Sequence, residues 1–303
     1  MPLLRANAQE LLKEGLDEIL FRKYSEIQPV YQQIFNIRTS KKKAEEIIGF
    51  SGFGAPAKKE EGASITYDDP YQGFKTTFTH ITYGLGFRVT KEMLEDDLYN
   101  IIQQMPSALA DTIVRFKDTV CANVFNNGFS STGTDFMSGG DGQYLFDTDH
   151  PLKGGGTCAN TFSTQADLSV SSLEEAINIM RLTKGDRGEI LDITPKILLV
   201  PPQLERTAWE LVKSAGRPDT ANRADNWLAT QNLQIVVWSR LTDSDAWFLL
   251  TDTAYHNLIF YNRIDLETEM DRDFDTKDYK YSALTRFSVG WADWRGVFGS
   301  SGA

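Results

Sequence analysis

The chain has 303 residues, of which 42 are acidic and 31 are basic, and its formal net charge at pH 7 is −11. This balance argues against a nucleic-acid-binding surface, because neutralising phosphates requires clustered lysine and arginine, but it permits a protein that encloses nucleic acid without gripping it. No apolar run reaches the roughly 18 residues that a membrane span needs, and the N-terminus lacks the apolar core of a signal peptide. The two cysteines are expected to be reduced thiols of a cytoplasmic protein.

The N-terminal region predicts a helix over Ala6–Tyr24, in which leucine and isoleucine form one stripe, and then a short segment over Val30–Arg38. Two interpretations of this helix remain open from the pattern alone. It packs on the core of its own chain, or it is an arm that reaches a neighbouring copy.

A long β-hairpin is predicted over residues 46–89, where two alternating stretches flank a charged tip at Lys58–Gly62. A hairpin is marginally stable alone in water, and this tip carries little apolar surface. We therefore expect the hairpin to pack on a neighbouring copy and not on its own body. The alternative is an ordinary hairpin at a sheet edge.

Helical spacing dominates the next stretch. Thr90 is a candidate N-cap for a helix over Lys91–Gln104, and Pro106 separates that helix from a longer one over Ser107–Asn127. Apolar residues of the longer helix recur every three or four positions and share one face: Leu109, Ile113, Phe116, Val120 and Val124. The helix is either an ordinary core helix or a spine against which two separate sheets pack.

A glycine-rich region over 128–160 contains a short strand candidate at Tyr144–Phe146, and a compact α+β unit is predicted from Val170 to about Asn262. Ser171 and Glu174 form a candidate capping box that opens a helix through Lys184. The other elements predicted for this unit are a buried strand at Lys196–Val200, a helix at Gln203–Ser214, and strands at Gln234–Trp238 and Ala246–Leu250. The polar segment 215–231 has no periodicity, so we expect it to be mobile in the free subunit and ordered by neighbouring copies.

The C-terminal region begins with an acidic run over Asp265–Asp278, which we expect to form a solvated face. Alternation over Tyr281–Trp291 then predicts a long strand. This strand can pair with the strands that precede the α+β unit. The unit is therefore predicted to be an insertion between strands of another sheet.

The cluster Asp147-Thr148-Asp149-His150 has the side chains of a reactive or metal-binding site. As a calcium-binding loop it lacks the sixth-position glycine and the twelfth-position glutamate, which are Leu152 and Cys158. Gly49–Phe53 approaches the nucleophile elbow of serine hydrolases but ends in phenylalanine, and no Walker or dinucleotide-binding fingerprint occurs. We expect no catalytic residue, no metal and no cofactor, and we interpret Asp147–His150 as a turn.

Three stretches carry a resemblance to a known family: Arg88–Tyr99, Phe146–Pro151 and Leu198–Glu205. They resemble the Mu-like major head subunit family, whose members are major capsid proteins of tailed bacteriophages with the Hong Kong 97 type fold. The resemblance extends from about residue 10 to residue 295, and its motifs are structural and not catalytic.

The resemblance implies an α+β fold with five regions: an N-terminal arm (1–45), an extended β-hairpin or E-loop (46–89), a peripheral domain with a long spine helix (90–169), an inserted axial domain (170–262) and a return to the peripheral domain (263–303). It also implies a major capsid protein that self-assembles into the icosahedral shell enclosing phage double-stranded DNA. Such a protein is located in the virion and assembles in the host bacterial cytoplasm.

The implied partners are further copies of the chain in hexameric and pentameric capsomers, double-stranded DNA enclosed without sequence-specific binding, and scaffolding, portal and decoration proteins. No membrane is implied. Any scaffolding function is expected on another protein or in a segment removed before residue 1. Some relatives form a Lys–Asn cross-link, but no catalytic glutamate or asparagine partner can be matched to Lys58 or Lys59, so the cross-link is not carried over.

Charged residues supply the candidate assembly contacts. They form a lysine cluster (Lys41, Lys42 and Lys43) and a tip cluster (Lys58, Lys59, Glu60 and Glu61). We expect the lysines of at least one cluster to face an acidic surface of a neighbour. Two other functions remain open: an encapsulin-like compartment loaded with an enzyme, and a soluble hydrolase that uses Asp147, Asp149 and His150.

Overall fold

The computed structural model describes residues 5–62, 64–70, 72–96, 101–130, 139–214, 216, 225–253, 255–276 and 278–303. The helices are α1 (Arg5–Glu26), α2 (Tyr31–Ile34), α3 (Lys91–Glu95), α4 (Ile101–Asn126), α5 (Val170–Arg181), α6 (Glu205–Lys213) and α7 (Trp227–Thr230). The strands are β1 (Asn36–Thr39), β2 (Ala44–Phe50), β3 (Gln72–Thr79), β4 (Ile81–Val89), β5 (His150–Pro151), β6 (Thr157–Cys158), β7 (Ile197–Val200), β8 (Gln234–Val237), β9 (Trp247–Leu250), β10 (Leu258–Arg272), β11 (Tyr279–Trp291) and β12 (Val297–Ser300). Among the described helices, none is long and apolar enough to cross a bilayer.

Two four-stranded sheets organise the chain. The body sheet has the order β1-β10-β11-β4, with β1 parallel to β10 and the other pairs antiparallel. The insertion sheet has the order β12-β9-β7-β8, with β7 parallel to β8 and the other pairs antiparallel. Because β7, β8 and β9 lie in sequence between β4 and β10, the α+β unit is an insertion between strands of the body sheet, as the sequence predicted.

The ends of this unit differ from the prediction. The strands predicted at 196–200, 234–238 and 246–250 are confirmed as β7, β8 and β9. However, β10 already belongs to the body sheet from Leu258, and the C-terminal strand β12 pairs with β9 in the insertion sheet. All four residues of β12 are buried, so the strand has no alternation that could indicate its sheet in advance.

Helix α4 is longer than predicted because it begins at Ile101 and includes Pro106. The expected break at this proline is therefore wrong. A proline inside a helix removes one backbone hydrogen bond. Pro106 lies in the second turn of α4, and its ring is buried there. Most of the expected stripe faces inward, but the side chain of Phe116 is 39% exposed.

The spine interpretation of α4 is confirmed by the composition of the largest core cluster. Cys121 and Phe125 of α4 are fully buried in it. The same cluster contains residues from both sheets, namely Phe260 and Phe287 of the body sheet and Leu199 and Phe248 of the insertion sheet. The C-terminal half of α4 thus joins the two sheets through one continuous apolar core.

Helix α1 packs on the body of its own subunit. Leu16 and Leu20 are buried in a cluster with residues of α4. At the end of α1, the Tyr24 hydroxyl donates to Asp265 Oδ1 (2.6 Å), and the buried Lys117 ammonium of α4 donates to both the Tyr24 oxygen and Asp265 Oδ1 (2.8 Å each). Burial lowers the pKa of Lys117 although Asp265 opposes that shift, and Lys117 with Tyr24 lowers the pKa of Asp265 against the raising effect of burial. Of the two interpretations left open for this helix, the described contacts support packing on its own core.

The hairpin is shorter than predicted. Strands β2 and β3 pair antiparallel from Ala44↔Thr79 to Phe50↔Gln72 and form its two arms. Strand β4, expected to continue the second arm to Val89, pairs instead with β11 along its whole length. The side-chain period is the same with either partner, so the sequence indicates the strand and not its neighbour.

Of the local predictions, one is confirmed and others are corrected. Thr90 is confirmed as an N-cap, since its hydroxyl accepts from the Met93 amide. The N-cap of α5 is Ser169 and not Ser171, with Ser172 as the reciprocal partner. The predicted strand at 144–146 is irregular backbone, and the mobile-segment prediction falls largely on 215 and 217–224, which lie outside the described residues. Within that segment, α7 is an unpredicted short helix capped by Asn226.

His256 predicts a specific acid sensitivity of the subunit. Its ring is 1% exposed, its Nδ1 accepts a hydrogen bond from the Leu258 amide (3.3 Å), and burial lowers its pKa to about 4. Because the folded-state pKa lies below the ordinary value, this group stabilises the fold above pH 6.5, and the contribution is lost as the pH falls towards 4. The loss is expected to be about 3 kcal/mol.

The measurement is urea unfolding of the free subunit between pH 7 and pH 4. The variant His256→Asn keeps an acceptor for the Leu258 amide but cannot be protonated in this range, so its profile should be flatter than that of the wild type. A wild-type profile no steeper than that of His256→Asn would show that this histidine does not govern the acid response.

Candidate assembly surface

The two charged clusters lie at opposite ends of the hairpin. The lysine cluster occupies the exposed turn between β1 and β2, and the tip cluster lies beyond the far end of β2. The seven residues of β2 alone separate the two by roughly 20 Å. Within each cluster a lysine already pairs inside the subunit, Lys42 with Glu45 (3.1 Å) and Lys58 with Glu60 (2.7 Å). The structure therefore does not join these residues into one site.

The hairpin carries more exposed apolar surface than the sequence analysis assigned to it. Phe50 and Phe53 are each 66% exposed, Ile65 is 64% exposed and Tyr67 is 91% exposed. Phe50 and Phe53 contact each other edge to face, with ring centroids 6.0 Å apart. A cluster of large exposed apolar side chains on one projecting segment is typical of a protein interaction surface.

The hairpin also touches its own body at several points, so the expectation that it does not pack on its own body is wrong. At its base, Phe78 of β3 is buried against Ile259 and Tyr261 of β10. The carboxylate of Asp68 pairs with the Arg187 guanidinium (2.6 Å) in the loop after α5. Nearer the arms, the Lys153 ammonium lies 3.9 Å from the centroid of the Phe74 ring. Sequence reasoning missed Arg187, although its position in a Gly-Asp-Arg-Gly turn could have marked a residue presented by a tight loop.

The acidic run forms the largely solvated face that the sequence suggested, since five of its seven acidic residues are exposed, although part of it pairs within the subunit. Its first half extends β10, and its last residues form the turn to β11. Three of its carboxylates pair with cations of the same chain: Asp265 with Lys117 (2.8 Å), Asp273 with Lys280 (2.7 Å) and Asp278 with Arg88 (3.5 Å). The run is therefore a weaker complement for a neighbour's lysines than its composition indicated.

The Asp147–His150 segment is a structural turn in the part of the chain that the structure describes. The His150 ring is fully buried, stacks on Trp294 at 4.4 Å, and places Nδ1 2.8 Å from Asp141 Oδ2 and Nε2 3.2 Å from Asn160 Oδ1. Asp147 accepts from the amide of Asp149, as in an Asx turn. Both ring nitrogens of His150 are thus engaged away from solvent, and the described residues contain no group of His, Cys, Asp and Glu side chains suited to a metal ion.

Comparison with known proteins identifies the class. A family model described as "Phage capsid protein" matches residues 74–299, which is more than half of the chain. The chain belongs to the phage capsid protein family. It is a major capsid protein, the subunit that forms the shell of the virion. A sequence comparison with curated proteins gives no match.

Solved capsids share the fold of this capsid protein at low sequence identity. The capsid of a native GTA particle is 12% identical, with a TM-score of 0.61 over 91% of this chain and 92% of that chain. The decorated capsid of bacteriophage JBD30 is 19% identical, with a TM-score of 0.53 over 71% and 92%. A virus-like particle from Pyrococcus furiosus is 11% identical, with a TM-score of 0.51 over 95% and 98%. The fold is the α+β, Hong Kong 97 type capsid fold that the sequence resemblance implied.

Proposed function

We propose that this capsid protein assembles into a closed icosahedral shell of hexameric and pentameric capsomers around double-stranded DNA, and that the hairpin of each copy packs on a neighbouring copy. The observation that carries the proposal is the row of large apolar side chains exposed on the hairpin of a shell-forming protein. The net charge of −11 supports enclosure of DNA without sequence-specific binding. We assign the protein to the Mu-like subgroup on its three sequence stretches.

The domain roles follow the two sheets. We assign the body sheet and α4 to the peripheral domain, the hairpin over 44–79 to the E-loop, and the insertion sheet with its helices to the axial domain, which includes the C-terminal strand β12. Helix α1 begins the N-terminal arm. One continuous core beneath α4 supports treating the two domains as one unit during assembly.

We propose that the protein has no catalytic activity and assembles in the bacterial cytoplasm with scaffolding, portal and decoration proteins. The burial of His150 supports the lack of catalytic activity. The two free cysteines support assembly in the cytoplasm, where thiols stay reduced. Minor capsid protein trimers decorate the JBD30 capsid, a structural relative, and this supports a decoration protein here.

The cargo tests this proposal. Particles of this capsid protein, purified from bacteria in which the phage is growing, should protect double-stranded DNA from added nuclease. The second candidate is an encapsulin-like compartment loaded with an enzyme. The fold shared with a virus-like particle from Pyrococcus furiosus is compatible with either kind of shell. Particles that protect a folded enzyme and no DNA would establish that alternative and overturn the first.

Charge reversal at the lysine cluster is predicted to slow assembly. Exposed lysines attract acidic neighbours weakly, but the contact repeats at every copy of the shell. Changing Lys41, Lys42 and Lys43 to glutamate should slow assembly several-fold at low ionic strength, and the defect should shrink as added salt screens the repulsion. Light scattering of assembling subunits measures both effects.

The tip cluster provides the matched comparison. Lys58→Glu with Lys59→Glu tests the far end of the hairpin separately, at the same change in charge per residue. If neither variant alters the assembly rate or its salt dependence, these lysines do not select the register of contact between copies.

A further inference from the structure

The neck of the hairpin is tied together by one arginine of the body. Arg187 donates from Nη1 to Asp68 Oδ2 and from Nη2 to the Asp69 carbonyl oxygen, both at 2.6 Å. The Gly54 amide of the other arm donates to the same Asp68 oxygen at 2.7 Å. Arg187 therefore contacts one arm directly and holds the other through the carboxylate of Asp68.

Arg187 is presented by a loop that is itself fixed. The preceding residue, Asp186, is buried and pairs with Arg295 at 2.9 Å. Its carbonyl accepts from the Gly154 amide (2.8 Å), and its carboxylate accepts from the Lys153 amide (3.2 Å). The clamp therefore acts from a rigid base and not from a free surface loop.

The chemistry of the contact requires arginine and a close backbone approach. A guanidinium offers two directed N–H donors in one plane, which suits the simultaneous bonds to a carboxylate and a carbonyl, whereas a lysine ammonium lacks this planar fork. The Arg187 side chain is only 14% exposed, so the bonds are partly shielded from water. A side chain at Gly54 would begin 3.0 Å from Arg187 Nη1, so glycine permits the two arms to meet there.

The position of the clamp determines which part of the hairpin projects. The β2–β3 ladder ends at Phe50↔Gln72, and the clamp lies beyond that end, between Gly54 and Asp68. The residues past the clamp include the tip cluster and the exposed Ile65 and Tyr67. We call residues 55–67 the projecting segment. Its starting point and its direction are set where Arg187 holds the neck of the hairpin.

We propose that Arg187 is a positioning residue for shell assembly, which clamps both arms of the hairpin and aims its projecting segment at the neighbouring copy. This inference rests on the proposed role of the hairpin in contacts between copies. The Gly54 amide and Arg187 both lower the pKa of Asp68, in keeping with an ionised clamp at neutral pH.

The test compares Arg187→Gln and Asp68→Asn with the charge-swapped double variant Arg187→Glu/Asp68→Arg. In each single variant the thermal midpoint of the subunit should stay close to that of the wild type. Hydrogen exchange over residues 51–71 and the assembly half-time should each change roughly tenfold, the effect of losing a charge-assisted hydrogen bond. The double variant should recover part of the wild-type hydrogen exchange over residues 51–71 and part of the wild-type assembly half-time.

The matched control is Arg206→Gln, which breaks the exposed Arg206–Glu210 pair on α6 (2.8 Å) and should alter neither readout. Unchanged exchange over 51–71 in both single variants would overturn the clamp. Faster exchange with normal assembly would overturn its positioning role. A deletion of the hairpin tip distinguishes failure of the Arg187 proposal from failure of the proposed function. If the deletion variant also assembles normally, the hairpin has no role in contacts between copies. If the deletion variant assembles poorly while the Arg187 variants assemble normally, only the positioning role of Arg187 is overturned.

Discussion

Replacing Phe125 with alanine is expected to lower the free energy of unfolding by about 3–5 kcal/mol. The side chain is fully buried at the point where α4 meets the insertion sheet. Its ring lies within 5.2 to 6.4 Å of four other aromatic rings, those of Phe35, Phe146, Trp238 and Phe248. Removing it leaves a cavity between rigid elements that cannot collapse to fill the space.

Phe116 is the matched control because it lies on the same helix but is 39% exposed. The variant Phe116→Ala should lose less than about half as much free energy, since less apolar surface is removed from a core. Urea unfolding of the unassembled subunit measures both values. Equal losses in the two variants would contradict the role of α4 as the element that joins the two sheets.

Removing the apolar surface of the hairpin is expected to abolish efficient assembly while leaving the subunit folded. The triple variant Phe53→Ser, Ile65→Ser, Tyr67→Ser changes side chains that are at least 64% exposed, so its thermal midpoint should stay close to that of the wild type. Each large apolar side chain buried between copies contributes about 1.5–3 kcal/mol, so the loss of three should reduce shell yield by well over tenfold.

The conservative control changes the same three residues to leucine, which keeps apolar area at each position and should permit assembly. Deletion of Ala55–Ala63 tests the charged tip itself and is expected to give a folded subunit that assembles poorly. Both are assayed by sedimentation of assembled particles. Normal shells from the serine variant and the deletion would show that the hairpin is dispensable for contacts between copies.

Local patterns in the sequence predicted the elements well, and long-range pairing limited the rest. The buried face of α4, the N-cap at Thr90 and the fully buried strand β7 depend on residues close in sequence, and all three were predicted. The return of the Tyr281–Trp291 strand to strands before the α+β unit was predicted, but not that β4 leaves the hairpin to pair with it, nor that β12 pairs with β9. A strand's side-chain period is identical whichever strand lies beside it, so these partners are decided by tertiary packing.

The same division applies to the assembly surface. The charged clusters were visible in composition, but their pairing within the subunit depended on contacts such as Asp265 with Lys117, 148 residues apart. The clamp between Asp68 and Arg187 spans 119 residues and follows no periodicity. The apolar side chains of the hairpin were present in the sequence, yet their exposure became evident only once the arms ended at Phe50 and Gln72.

Electron cryomicroscopy of particles assembled from the purified protein tests the central claim most directly. The expected result is closed icosahedral shells with capsomers of five and six subunits, in which residues 51–71 of each copy lie against a neighbour while Arg187 holds Asp68 of its own chain. A uniform population of small monomers under all assembly conditions, or shells in which the hairpin contacts only its own subunit, would contradict it.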